Sequence, residues 1–254
     1  LKVFTLYEGS YSVDASKKFV PFNQETDNFK DRKGSIFIHV QPFLVQLNNT
    51  LLLLDTGLGF SDEQGQLILH NNIRKAGFEP DDVEYVLMSH LHFDHAGGMI
   101  HKTDGQMELS FPHATYLIQR GEWEGAFTNA SSSYKPEIFE FLQRNAQLTF
   151  LDESGAFNEH IDFELTGGHT PFHQTFLITE GDEKVFFGGD VLPEPEELQR
   201  KFIAKYDFDG RKSMELREQF GKKAAVEHWN CLFYHGKTKT SGYVQDNDGH
   251  FTII

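Results

Sequence analysis

The chain has 254 residues, is 39% hydrophobic with 25 Phe, and carries a formal net charge of -15. That much apolar surface excludes disorder and suffices for a core, so one domain over residues 1–254 is expected. The acidic excess repels polyphosphate backbones, and the densest cationic runs, "GRKSMELRE" and "GKK", lie among acids, which speaks against a nucleic-acid partner.

The chain opens on Leu1 instead of Met, as a trimmed leader or tag would leave it. Strand-like runs come next at 36–40 ("IFIHV"), 43–47 ("FLVQL") and 50–55 ("TLLLLD"). Ser61 with Gln64 three residues on reads as a capping box, so a helix is predicted from Ser61, with Leu69, Ile73 and Ala76 on one face and Gly77 at its end. Further strands are predicted at 84–89 ("EYVLMS") and 114–118 ("ATYLI"), then a helix at "KPEIFEFLQRNA" with Pro136 in its first turn. "QTFLIT" (174–179) and "KVFFGG" (184–189) are the next strands. Residues 191–210 form a long mixed connection, read either as a binding loop or as a packing hairpin. A helix over "RKSMELREQFGKKAAVEHW", striped by Leu216, Phe220 and Ala224, leads into the strand "CLFY" (231–234). Several of these strands are apolar throughout, which predicts sheets covered on both faces. Cys231 is the single cysteine and lies in one of them, so it reads as a buried hydrophobe; its solitude excludes an internal disulfide and fits a cytoplasmic protein. No apolar stretch approaches membrane-spanning length, so no membrane association is expected.

The residues just past the buried-looking strands carry the chemistry. "YVLMS" runs into His90, His92, Asp94 and His95, "DFELTGG" into His169, "VFFGG" into Asp190, "CLFY" into His235 and "LLLL" into Asp55. Neighbouring strands place their ends along one edge of a sheet, where residues remote in sequence converge. The pairs Gly167, Gly168 and Gly188, Gly189 allow the sharp turns this needs. Five histidines and two acids exceed what one tetrahedral zinc takes and suit two ions if one carboxylate bridges, so a dinuclear site is inferred.

In this order "SHLHFDHAGG", "GGHTPFH", "FFGGD" and "FYHG" resemble the metallo-β-lactamase superfamily, over nearly the whole chain from "LLLLDTGLGF" to His235. The resemblance implies an α/β fold, a four-layer αβ/βα sandwich. It implies that His90, His92 and His169 hold one metal and Asp94, His95 and His235 the other, with Asp190 bridging. Asp55 in "DTG" and His173 then orient ligands without binding metal themselves. Zinc is the expected ion, iron or manganese the alternatives. The implied reaction is hydrolysis by a metal-bound hydroxide, with Asp94 relaying a proton to the leaving oxygen.

Within the superfamily the chain is similar to small single-domain lactonases that cleave N-acyl homoserine lactones, and to relatives that cleave organophosphate triesters. Aspartate at position 190, where antibiotic-cleaving members commonly place cysteine, counts against a β-lactamase. Pro193 stands where those lactonases carry a tyrosine that supports the substrate carbonyl, with Tyr206 and Tyr234 the substitutes nearest to hand. Phe172 replaces the usual glycine of "HTPFH" and, with Phe93 and Tyr206, is a candidate pocket residue; Phe60 and Phe202 also lie near the motif loops. The small-molecule substrate is therefore expected to be a lactone, with a thioester or phosphotriester as alternative. A single-iron dioxygenase or a non-catalytic metal-binding protein is the alternative of another class. A homo-oligomer is compatible with the sequence. His39, His70, His101, His113, His160, His228 and His250 read as sheet or surface histidines.

Overall fold

A computed structural model describes residues 1–128, 131–199 and 201–254. Its frame is two mixed sheets. The first runs Lys2–Thr5, Phe43–Leu47, Thr50–Leu54, Val83–Leu87, Thr115–Gln119, Gln147–Leu151, with the last four strands mutually parallel. The second runs Gly155–Ala156, Ile161–Leu165, Gln174–Glu180, Glu183–Phe187, Trp229–Leu232, Ser241–Asn247, His250–Ile253, with one parallel pair, Glu183–Phe187 beside Trp229–Leu232. A three-stranded sheet, Phe19–Pro21, Gly9–Val13, Ile36–Val40, stands apart from these.

Side-chain alternation explains why the central strands are apolar throughout. In Thr50–Leu54, Leu52 and Leu54 pack with Phe176, Ile178 and Phe187 between the sheets. Leu51 and Leu53 face the other way, onto Leu69 and Ile73 of the helix Ile68–Lys75 and Ile138, Phe139 and Leu142 of the helix Pro136–Asn145. Behind the second sheet, Phe186 and Cys231 pack on Leu216, Phe220 and Ala224 of the helix Gly210–Glu227. Helix, sheet, sheet, helix is the four-layer order expected. Among the described residues no helix is long and apolar enough to cross a membrane.

One boundary departs from expectation. The first long helix starts at Ile68, because Ser61 forms an isolated β-bridge with Leu67 instead of capping a helix. The Asp62 carboxylate accepts the N–H groups of Gln64 and Gln66, and Gly65 sits at φ 76°, which commits the segment to a turn. The helix Arg120–Thr128 has no counterpart among the expected elements; its residues show no clean apolar stripe.

Candidate metal centre

The parallel arrangement brings the ends of the strands Thr50–Leu54, Val83–Leu87, Ile161–Leu165, Glu183–Phe187 and Trp229–Leu232 to one place. The ligand-competent atoms of His90, His92 and His169 lie within 4.8 Å of one another, as do those of Asp94, His95 and His235. Asp190 spans the two groups: Oδ1 lies 3.2 Å from Nε2 of both His95 and His235, and Oδ2 lies 3.3 Å from Nε2 of His169. Its approach depends on Gly189, whose φ of +49° suits glycine and where a Cβ would stand 2.7 Å from that of Ser89.

Four of the five histidines are oriented through their second ring nitrogen. His95 Nδ1 lies 2.6 Å from Asp55, His169 Nδ1 2.9 Å from Asp207, His235 Nδ1 2.6 Å from the His39 carbonyl and His90 Nδ1 3.0 Å from the Ser89 hydroxyl. A nitrogen whose ring partner donates to an oxygen keeps a lone pair for a cation, so these contacts turn Nε2 inward. His92 is the exception and presents Nδ1, 3.1 Å from His169 Nε2. Burial holds the His90 and His92 imidazoles well below their ordinary pKa and therefore neutral. Burial also depresses His95, but Asp190, Asp94 and Asp55 outweigh it and raise the ring well above the ordinary value.

His90 Nε2, His95 Nε2 and Asp190 Oδ1 are buried and make no well-aligned hydrogen bond among the described residues, although the last two lie 3.2 Å apart. Orphaned polar atoms of this kind cost free energy unless something binds them. Imidazole nitrogens and carboxylate oxygens aimed at one another fit divalent cations in number and in type.

The model of the Metallo-beta-lactamase superfamily matches residues 37–235. The chain belongs to this superfamily. Among curated relatives it is similar to N-acyl homoserine lactonase AttM of Agrobacterium fabrum, 38% identical over 118 residues, which cover 42% of this chain and 40% of that protein. It is also 30% identical over 130 residues to N-acyl homoserine lactonase AiiA of Bacillus thuringiensis subsp. kurstaki, covering 51% of this chain and 46% of that one. The chain thus spans less than half the length of these relatives. Over its whole length it superposes on AidC, a dizinc quorum-quenching lactonase in complex with a product, at a TM-score of 0.76 and 25% identity, covering 99% of this chain and 93% of that one. Hydrolase AbOPH gives 0.75 at 20% identity, covering 99% and 94%, a likeness of fold alone.

Within this metallo-β-lactamase fold a substrate needs a cavity beside the centre, and one of about 530 Å³ opens there. Its floor is His92, Asp94, His169, Asp190 and His235. The three-stranded sheet and the loop joining its strands give an apolar wall of Val13, Phe19, Phe29, Phe37 and Ile38, joined by Phe93. The 191–210 connection supplies the facing wall through Pro193, Glu194, Phe202 and Tyr206 and also packs inward, with Leu198 in the core behind the second sheet; Arg200 lies outside the described residues.

The cavity overturns two expectations, for Phe172 and for Tyr234. Phe172 does not line it: the ring lies where a Cβ on Gly121 would meet it at 2.3 Å, so the helix Arg120–Thr128 draws it away. Tyr234 is fully buried, stacks on His95 and donates to the Asp94 carbonyl at 2.7 Å, leaving its hydroxyl committed. Tyr206 does reach the cavity and donates to Glu197 Oε1 at 3.1 Å. His173 stands outside the ligand atoms: its Nε2 accepts the Asp190 amide N–H at 3.1 Å. Its Nδ1 therefore carries the proton and donates to Thr166 Oγ1, at 2.8 Å. Sequence reasoning misses Asp207, Glu122 and the His39 carbonyl, since each acts through a neighbour and no spacing marks it.

Proposed function

We propose that the chain is a dinuclear metal-dependent hydrolase of ester-type bonds, with a lactone bearing an apolar acyl arm as its substrate. The observation that carries this reading is the convergence of His92, Asp94, His169, Asp190 and His235 on the floor of a cavity with one apolar wall, above the orphaned Nε2 atoms of His90 and His95. His90, His92 and His169 would hold one ion, Asp94, His95 and His235 the other, and Asp190 would bridge. Bound there, two divalent cations, zinc first and iron or manganese next, supply Lewis acidity toward the scissile carbonyl and lower the pKa of water.

The remaining chemistry falls to the chain's own groups. Asp94, at the cavity floor, accepts a proton and passes it to the leaving ring oxygen. Asp55, Asp207 and the His39 carbonyl keep the imidazoles in the tautomers the ligand role requires. Phe19, Phe37, Phe93 and Phe202 take the acyl arm and exclude water. Glu194 is neutralised by Lys237, and Glu197 by Arg217, so most charge in the walls is balanced and a neutral substrate is favoured. The lactone is supported by the lactonase names of the curated relatives and of AidC.

A second reading, a thioester or phosphotriester, is favoured by one residue. Pro193 at the cavity wall offers no hydroxyl where the resembled lactonases carry tyrosine, and Tyr206 is already bonded to Glu197. Metal analysis with a panel of lactones, esters, thioesters and phosphotriesters separates these readings. Two ions per chain with lactone turnover is expected. Two ions with no turnover of any substrate would sink the hydrolase reading, and one iron with oxygen consumption would replace it by a dioxygenase.

A further inference from the structure

Glu122, in the helix Arg120–Thr128, is 2% exposed. A buried carboxylate costs several kcal/mol unless donors or a cation offset it. Here the offset is three hydrogen bonds. Oε1 accepts the Leu91 N–H at 3.1 Å and the Tyr134 hydroxyl at 3.0 Å, while Oε2 accepts the Thr170 hydroxyl at 2.7 Å.

The three donors share a feature. Leu91 is the residue between His90 and His92, and Thr170 comes directly after His169. The Tyr134 ring stands edge-on to that of His92, 5.0 Å between centroids. Every contact of this carboxylate therefore ends beside a member of the His90, His92, His169 group, and none ends on Asp94, His95 or His235. The second group is held by other atoms, Asp55 on His95 and the His39 carbonyl on His235. Asp55 differs from Glu122 in reaching both groups, since it also accepts the Ser89 hydroxyl that contacts His90.

We propose that Glu122 is a positioning residue for one metal of the pair: it sets the spacing of His90, His92 and His169 and leaves the other ion's ligands untouched. This rests on the dinuclear reading above. Because the role is geometric, glutamine should serve. Its carbonyl oxygen accepts from Leu91 and Tyr134, and its amide donates to Thr170 Oγ1, which has lone pairs to receive it. Alanine leaves all three donors buried without partners.

The test is a cobalt(II) titration of the chelator-stripped full chain, monitored by visible absorbance and by competition with a chelator. The wild type is expected to bind two ions. E122A should bind one with wild-type affinity and the other about 10–100-fold more weakly, and E122Q should bind both as the wild type does. Two ions bound by E122A at wild-type affinity, or both weakened alike in a folded protein, would overturn the proposal. A wild type that binds no cobalt would instead overturn the dinuclear reading itself. Should E122A fail to fold by circular dichroism, T170V and Y134F each remove one donor, and the same one-site weakening is expected; equal effects on both ions, or none, count against Glu122.

Discussion

Asp55 Oδ2 lies 2.6 Å from His95 Nδ1, with both side chains wholly buried. The same carboxylate accepts the Ser89 N–H at 2.7 Å and the Ser89 hydroxyl at 2.6 Å, so three donors converge on it. Asparagine offers one acceptor oxygen and an amide that is itself a donor, which sets two donors against each other. Asp55→Asn should therefore release the orientation of His95 and, through Ser89, of His90. Metal affinity measured by chelator competition is expected to fall about 10–100-fold for both ions. Unchanged affinity would show that the imidazoles hold their places unaided.

His173 acts on the centre through the main chain. Its Nε2 accepts the Asp190 N–H, and its ring lies against the close turn at Gly189, where it is the nearest neighbour of a virtual Cβ at 2.6 Å. His173→Ala leaves that N–H buried and opens space beneath Asp190, so metal affinity should drop about 10–100-fold without vanishing. Asp190→Ala removes the carboxylate itself and should cost one or both ions. If the two variants lose metal equally, His173 is more than a support and its separation from the ligand atoms is wrong.

The contrast between these residues shows what the sequence made legible. His90, His92, Asp94, His95, His169, Asp190 and His235 come after strands whose apolar runs can be counted, and parallel pairing brings those strand ends together. Asp207 and Glu122 lack such a marker, because a buried acid that works through a neighbour's hydrogen bond looks in sequence like any surface acid. Ser61 misleads in the opposite sense: its spacing to Gln64 satisfies a capping rule, but Asp62 and Gly65 make a turn first. Phe172 draws attention by its nearness to His169 in the chain, whereas its position is decided by Gly121, on a helix with no apolar stripe to announce it.

A pH effect on stability is expected from Glu8. It is 6% exposed, and its carboxylate accepts the N–H groups of Leu58 and Phe60, pinning the loop after Asp55. Burial raises its pKa from 4.5 to about 7, against the opposing pull of those backbone bonds. An acid whose folded pKa is raised stabilises the fold fully below its unfolded value and loses that contribution as pH rises through the folded one. Between pH 4.5 and about 7 the wild type should therefore lose up to about 3 kcal/mol relative to Glu8→Gln, which does not titrate. Urea denaturation of both proteins across this range measures the difference, and a difference independent of pH would mean that Glu8 is ionised throughout.

The two cavity walls make separate demands on substrate. Phe202 is 40% exposed and lines the cavity, with its carbonyl bound by Arg217 Nη2 at 2.8 Å, so the backbone beneath the ring is fixed. Removing the ring takes apolar surface from an acyl arm that binds alike in ground and transition states, and such a loss appears in KM more than in kcat. Phe202→Ala is expected to raise KM for long-arm lactones or esters about 5–30-fold, the equivalent of about 1–2 kcal/mol of burial, and to leave short-arm substrates unchanged. Phe172→Ala should alter neither, because its ring rests on Gly121 and not in the cavity. Initial rates over a series of acyl lengths decide the matter. A profile moved by Phe172→Ala and not by Phe202→Ala would place the acyl arm on the other side of His169.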